Sequence, residues 1–309
     1  MDEFKDIRPY LDDEIRPVVN TLLRDREFIS SVARFYFPRL TALCPPLVCL
    51  FARRHLQKQL KDVNTVADVQ VLIASYMDKM IADTTTSLSQ EGLSNLDHNR
   101  NYLFISNHRD IAMDPAFVNY MLFHEGLETL QIAIGDNLLK KPFVNDLMRL
   151  NKSFIVHRSL KGRELLKSLR QLSRYIHYCI EHKQNVWNAQ REGRAKDGID
   201  KTDPALVKML ARGDGELPLH ASLEKLHIVP VAISYEYDAC DALKAAETIL
   251  AQDGILGIFP EGGSWAEVLR PPRPGTAYLA ARAGVPILPV GLSGLNDILP
   301  LKIGQRAVV

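Results

Sequence analysis

The sequence predicts an α/β fold: a mixed, mostly parallel sheet flanked by helices, preceded by an N-terminal helical region. From residue 100 onward, short apolar runs alternate with longer amphipathic stretches, the pattern of strands covered by helices. Three of those runs end in polar and ionisable residues, and in such folds chemistry collects at the edge where strands give way to loops. Before residue 60 the apolar pattern is helical, but Pro38 and Pro45-Pro46 break it into short pieces.

Taken in order, Asp12-Asp13-Glu14 suits a helix start, and Thr65 caps an amphipathic helix over 65–81 that packs on the α/β region after it. Methionines in that helix read as core, not as cofactor contacts. Strands are predicted over 102–106, 130–134, 153–156, 185–189 and 228–234, and helices over 115–123, 142–150, 162–181 and 204–212. A chain of 309 residues holds one large domain or two small ones and can bury a sizeable core.

Charge and cysteine content narrow the function. Lys+Arg 38 against Asp+Glu 37 leaves a formal net charge of +1, so no global basic field points to nucleic acid and any anion site is local. Cys44, Cys49, Cys179 and Cys240 show no metal spacing, and the chain opens without a signal peptide, which together suggest a reducing, cytoplasmic setting. No run reaches the roughly 18 to 20 apolar residues of a membrane-spanning helix. Residues 35–40 and 47–52, followed by Arg53-Arg54-His55, have the aromatic, aliphatic and basic make-up of a segment lying in a lipid interface. A helical hairpin packed on the core is the competing reading.

The chain's chemistry centres on Ser106-Asn107-His108-Arg109-Asp110, with Asp114 following. A histidine just past a strand end, with carboxylates two and six positions on, can be a general base whose tautomer an acid holds. Taken alone, a satisfied surface histidine at a helix start is the plainer reading, and what shifts it lies downstream. The strand at 153–156 runs into His157-Arg158-Ser159, where a guanidinium can grip a phosphate through two parallel hydrogen bonds. The strand at 185–189 runs into Arg191-Glu192-Gly193-Arg194-Ala195-Lys196, a glycine turn with three cations ready for an anion. Solvated strand ends and charged turns are the plainer alternatives.

At these residues the chain resembles the glycerolipid acyltransferase superfamily, whose best-known members acylate 1-acylglycerol-3-phosphate. Asn107-His108 matches the first family block and Phe154-Ile155-Val156-His157-Arg158 the second; Arg191-Glu192-Gly193-Arg194 is a variant of the third, and Ile228-Val229-Pro230-Val231 matches the fourth. The usual aspartate spacing falls on Met113, so Asp114 is favoured as the partner of His108, with Asp110 as the alternate or a helix cap. The resemblance implies transfer of a fatty acyl group from a thioester donor, acyl-CoA or acyl carrier protein, to the free hydroxyl of a lysophospholipid. No further cofactor and no metal are implied. It also implies that Asn107, Arg158, Glu192, Gly193, Arg194 and Lys196 bind substrate, and that the enzyme sits peripherally at the inner membrane surface on the cytoplasmic side. A non-catalytic lipid- or phosphate-binding protein and a thioesterase-like hydrolase are the rival functions.

Residues 1–90 then form an N-terminal helical, membrane-interfacial region, and 91–243 the acyltransferase α/β domain. Residues 244–309 repeat the third and fourth blocks: Phe259-Pro260-Glu261-Gly262 is closer to the usual family form than Glu192-Gly193, and Val285-Pro286 comes after it. That segment reads as the C-terminal half of a second acyltransferase joined to the first. Alternatively it edges the same sheet, with Glu261 and Gly262 in the site, or is an incidental βαβ unit.

Overall fold

Side-chain caps and prolines decide where the N-terminal helices begin. The computed structural model describes residues 2–85, 87–195, 200–213, 215 and 217–235. In α1 (Asp12–Leu22), Asp12, Asp13 and Glu14 put negative charge in the first turn, and Glu14 accepts from the Leu11 amide at 2.8 Å. Asp25 caps α2 (Arg26–Tyr36) by accepting from Phe28 N at 2.7 Å. Pro38 opens α3 (Pro38–Leu43) and Pro45 opens α4 (Pro45–Gln59). At a first helical position proline sacrifices no intrahelical hydrogen bond, so each ring stops one helix and starts the next. A reciprocal capping box between Thr65 and Asp68 begins α5 (Val66–Thr84).

The remaining elements alternate: β1 (Leu103–Ser106), α6 (Met113–His124), β2 (Leu130–Gly135), α7 (Pro142–Leu150), β3 (Ser153–Val156), α8 (Gly162–Glu181), β4 (Asn185–Ala189), α9 (Pro204–Leu210), α10 (Leu219–Glu224) and β5 (Ile228–Val231). The bounds of α7, β3, α8 and β4 are those the sequence predicts. The strand expected over 228–234 stops at Val231, which pairs with the last residue of β1, Ser106. The six-residue α10 is too short to show a helical period and has no sequence counterpart.

The sheet order is β3-β2-β4-β1-β5, and every adjacent pair is parallel. The mostly parallel sheet expected from sequence thus has no antiparallel member among the described strands. Because successive side chains point to opposite faces, Leu103 and Val186 join Phe154, Tyr175, Ile176 and Leu210 in a core beneath α8 and α9. Their neighbours Phe104 and Trp187 join Leu122, Leu130 and Ile132 on the other face, beneath α6. Burial on both faces is why these strands read as short apolar runs without strict alternation.

Met1–Ala195 and Asp200–Ser234 form one compact unit. Its first residues belong to the sheet's core: Phe4 and Ile7 are buried there, and Ile7 O accepts from Ile155 N at 2.9 Å. A separate apolar cluster built on Ile15, Val19, Phe28, Val69 and Phe143 binds the N-terminal helices to α7. One side of α4 packs against that cluster through Cys49 and Leu56. The other side is open: Phe35 (80%), Leu43 (82%), Leu47 (66%) and Phe51 (59%) are exposed across α2, α3 and α4. No helix among the described residues is long and apolar enough to cross a membrane. The segment 244–309, with its repeated blocks, lies outside the described residues.

Candidate active site

Parallel pairing sends the C-terminal ends of all five described strands to one edge, and the polar strand ends noted in the sequence meet there. His108 lies two residues past β1, a strand flanked on both sides by β4 and β5, and is only 9% exposed. Its Nδ1 stands 2.9 Å from Asp114 Oδ2, and Asp114, in the first turn of α6, is completely buried. The same oxygen accepts from the backbone amides of Arg109 (2.7 Å) and Asp110 (3.0 Å). The turn is therefore wound around the Asp114 carboxylate.

That arrangement assigns the imidazole tautomer. A carboxylate oxygen already serving as acceptor for two N–H groups calls for a third donor, which puts the proton on Nδ1 and leaves a lone pair on Nε2. No hydrogen-bond partner for Nε2 stands among the described residues. Asp110 is placed differently: its Oδ1 accepts from Ala112 N and Met113 N, each at 2.8 Å, and so caps the entry to α6.

Neighbours brought in by the sheet hold the histidine in place. The Trp187 ring on β4 packs edge-on against the imidazole, with centroids 6.1 Å apart, and its indole N–H donates to Ser106 Oγ at 3.1 Å. Asn107 pairs both ways with the Ile233 backbone, donating from Nδ2 to the carbonyl (2.8 Å) and accepting from the amide at Oδ1 (2.7 Å). Its amide, expected at the substrate, is occupied in tying the end of β1 to the segment after β5. Ala195 N donates to His108 O at 2.9 Å, and the His108 amide donates to Asp200 Oδ2. The glycine turn after β4 is thus fastened directly to the His108 loop.

Arg158 lies at the end of β3 beside β2, and its side chain passes over Gly135. A Cβ at Gly135 would stand 2.4 Å from Asn137 Oδ1 and 2.7 Å from Arg158 Nε, so a larger residue there would make both side chains shift. The Arg158 guanidinium meets Glu192 at 3.6 Å, which brings the second and third sequence blocks together across β2 and β4. Gly193 turns with φ of 75°, the left-handed region that favours glycine. Arg194 sits half-buried two residues past Glu192. Lys196, Glu261 and Gly262 lie outside the described residues.

Asp136, directly after β2, accepts from Arg158 N (3.2 Å), Ser159 Oγ (3.1 Å) and His157 Nδ1 (3.4 Å). Burial alone would raise its pKa, but these donors outweigh it and hold the carboxyl below its ordinary value. Gly135 and Asp136 were legible by the same strand-end criterion that singles out His108, Arg158 and Glu192. Asp200 and Ile233 were not, because nothing local marks a side chain that holds a distant backbone amide or a backbone that holds a distant side chain. Among the described residues, no group of three or more His, Cys, Asp or Glu side chains is placed to hold a metal ion.

Residues 87–234 and 201–293 each match the family model described as Acyltransferase. Similar curated proteins include the glycerol-3-phosphate acyltransferase of Pseudomonas fluorescens (strain Pf0-1), 28% identical over 152 residues, which covers 47% of this chain and 17% of that protein. The glycerol-3-phosphate acyltransferase of Pseudoalteromonas atlantica is 28% identical over 160 residues, covering 50% of this chain and 18% of that one. The chain therefore spans under a fifth of the length of these relatives.

Proposed function

The chain belongs to the acyltransferase family, and on that premise we propose that it moves a fatty acyl group from a thioester donor to a free hydroxyl of a glycerol phosphate acceptor. The observation that carries this reading is the buried His108–Asp114 pair, with no partner for Nε2 among the described residues at the strand edge. Nε2 takes the proton from the acceptor hydroxyl as its oxygen attacks the thioester carbonyl. The tetrahedral intermediate collapses by breaking the C–S bond, and the imidazolium returns the proton to the departing thiolate. Asp114 keeps the ring oriented and compensates its transient charge. No covalent enzyme intermediate is needed.

Arg158, with Arg194 and Lys196, binds the acceptor phosphate, and Glu192 orients the Arg158 fork while Gly193 shapes the turn. The donor is acyl-CoA or an acyl carrier protein thioester. The acceptor in this reading is a lysophospholipid such as 1-acylglycerol-3-phosphate, delivered from a membrane surface on which the exposed apolar side of α2, α3 and α4 rests. The protein is then peripheral to the inner membrane, on its cytoplasmic side. The names of the relatives favour a second acceptor, glycerol-3-phosphate itself.

Thiol release from an acyl-CoA measured with each acceptor and with none separates these readings. Release that rises with 1-acylglycerol-3-phosphate and yields the diacyl product supports the proposal. Saturation by glycerol-3-phosphate instead moves the acceptor to the smaller molecule. Release indifferent to acceptor indicates a hydrolase, and silence with CoA and carrier-protein donors alike indicates a non-catalytic binding protein.

A further inference from the structure

We propose that the cleft between α8 and α9 is a second phosphate site, one that takes the phosphate of an amphiphile apart from the His108 edge. A cavity of about 860 Å³ lies there, lined by Arg170 and Arg174 of α8, Lys208 of α9, and Arg212 just beyond it. Both cation pairs are spaced by four residues, so each stands on one side of a helical turn; Arg212 N still donates to Met209 O at 3.0 Å, continuing the coil. The two elements are locked face to face, because Leu210 O accepts from Ser173 Oγ at 3.1 Å and lies 2.9 Å from His177 Nε2.

Such like-charge pairs weaken a helix unless something neutralises them. Arg174 has Glu3 at 2.8 Å. Arg170, Lys208 and Arg212 have no carboxylate partner among the described residues. Two guanidinium forks and an ammonium group suit phosphate oxygens better than a single carboxylate. Leu217 and Leu219, also lining the cavity, are 36% and 53% exposed, so an apolar group has a place beside the charged one. None of the residues that line this cleft belongs to the catalytic edge around His108, and the inference stands whether or not the chain transfers acyl groups.

The test is calorimetric titration of the full chain with short-chain phosphatidate below its micellar concentration, with phosphatidylcholine of the same chain length, and with inorganic phosphate. An Arg158→Gln background removes the catalytic-edge phosphate contact from the signal. The inference predicts one phosphatidate bound in that background, weaker binding of inorganic phosphate, none of phosphatidylcholine, and at least a tenfold loss in Arg170→Gln/Lys208→Gln. Both substituted side chains are exposed, and circular dichroism verifies that the variant is folded. Unchanged phosphatidate binding in the double variant overturns the inference. So does binding seen only with anionic vesicles, which makes the cluster a membrane-facing charge patch. Asp214 and Glu216 lie outside the described residues; binding that appears only in Asp214→Asn/Glu216→Gln means these acids already neutralise the cations, and also overturns it.

Discussion

His108 illustrates how one side chain gains a defined chemistry from groups far away in sequence. Its tautomer follows from Asp114, its ring position from Trp187 and its backbone from Ala195 and Asp200. Asp136 performs a comparable task for the Arg158 loop, and its depressed pKa makes that role testable. A carboxyl held below its unfolded value contributes stability that is fully present above the ordinary carboxylate pKa and is lost as pH falls through the folded value. Asp136→Asn should therefore destabilise the protein by about 1 kcal/mol at neutral pH, with the gap to wild type narrowing below about pH 4; denaturant melts at a series of pH values measure it. A gap constant down to acid pH would deny the carboxylate this role. Strand-end position made His108, Arg158 and Glu192 legible in the sequence. Trp187 reaches His108, and Ile233 reaches Asn107, only because β1 is flanked by β4 and β5, an order no local pattern encodes.

Among the elements, the short helices α2, α3 and α4 separate two demands on one amphipathic stretch. Pro38 and Pro45 break the stretch so that Cys49 and Leu56 can pack inward while Phe35, Leu43 and Leu47 remain in solvent. The packed side agrees with the hairpin reading of this stretch, and the exposed side is the one the interfacial reading would use. Exposed leucines and a phenylalanine next to Arg39, Arg53 and Arg54 suit an anionic lipid interface. Replacing Phe35, Leu43 and Leu47 by serine should reduce co-sedimentation with phosphatidylglycerol-containing vesicles at least tenfold, without lowering the melting temperature, since these side chains make few buried contacts. Unaltered vesicle binding would show that the patch does not meet lipid. Long elements such as α8 were legible to the residue from their periodicity, whereas α10, with less than two turns, offered no period to read.

At the scale of the whole molecule, the third family block has two candidates in the sequence, Glu192-Gly193 and Glu261-Gly262. Only the first lies among the described residues, where Glu192 meets Arg158. If that turn serves the site, Glu192→Gln should raise the KM for a phosphate-bearing acceptor several-fold while Glu261→Gln leaves it unchanged; the opposite pattern would assign the site to the later copy. The α/β architecture was legible because buried parallel strands and amphipathic helices have different periods, while strand order depends on crossovers that periodicity does not record. The proposed acyl transfer rests on His108 acting as the base. The most direct measurement is therefore the steady-state rate of acyl transfer from acyl-CoA to 1-acylglycerol-3-phosphate by wild type and His108→Ala, with acceptor binding measured in parallel. The account predicts a rate loss of about 10²–10⁴-fold with acceptor affinity within a factor of about two or three; a variant that retains its rate would contradict it.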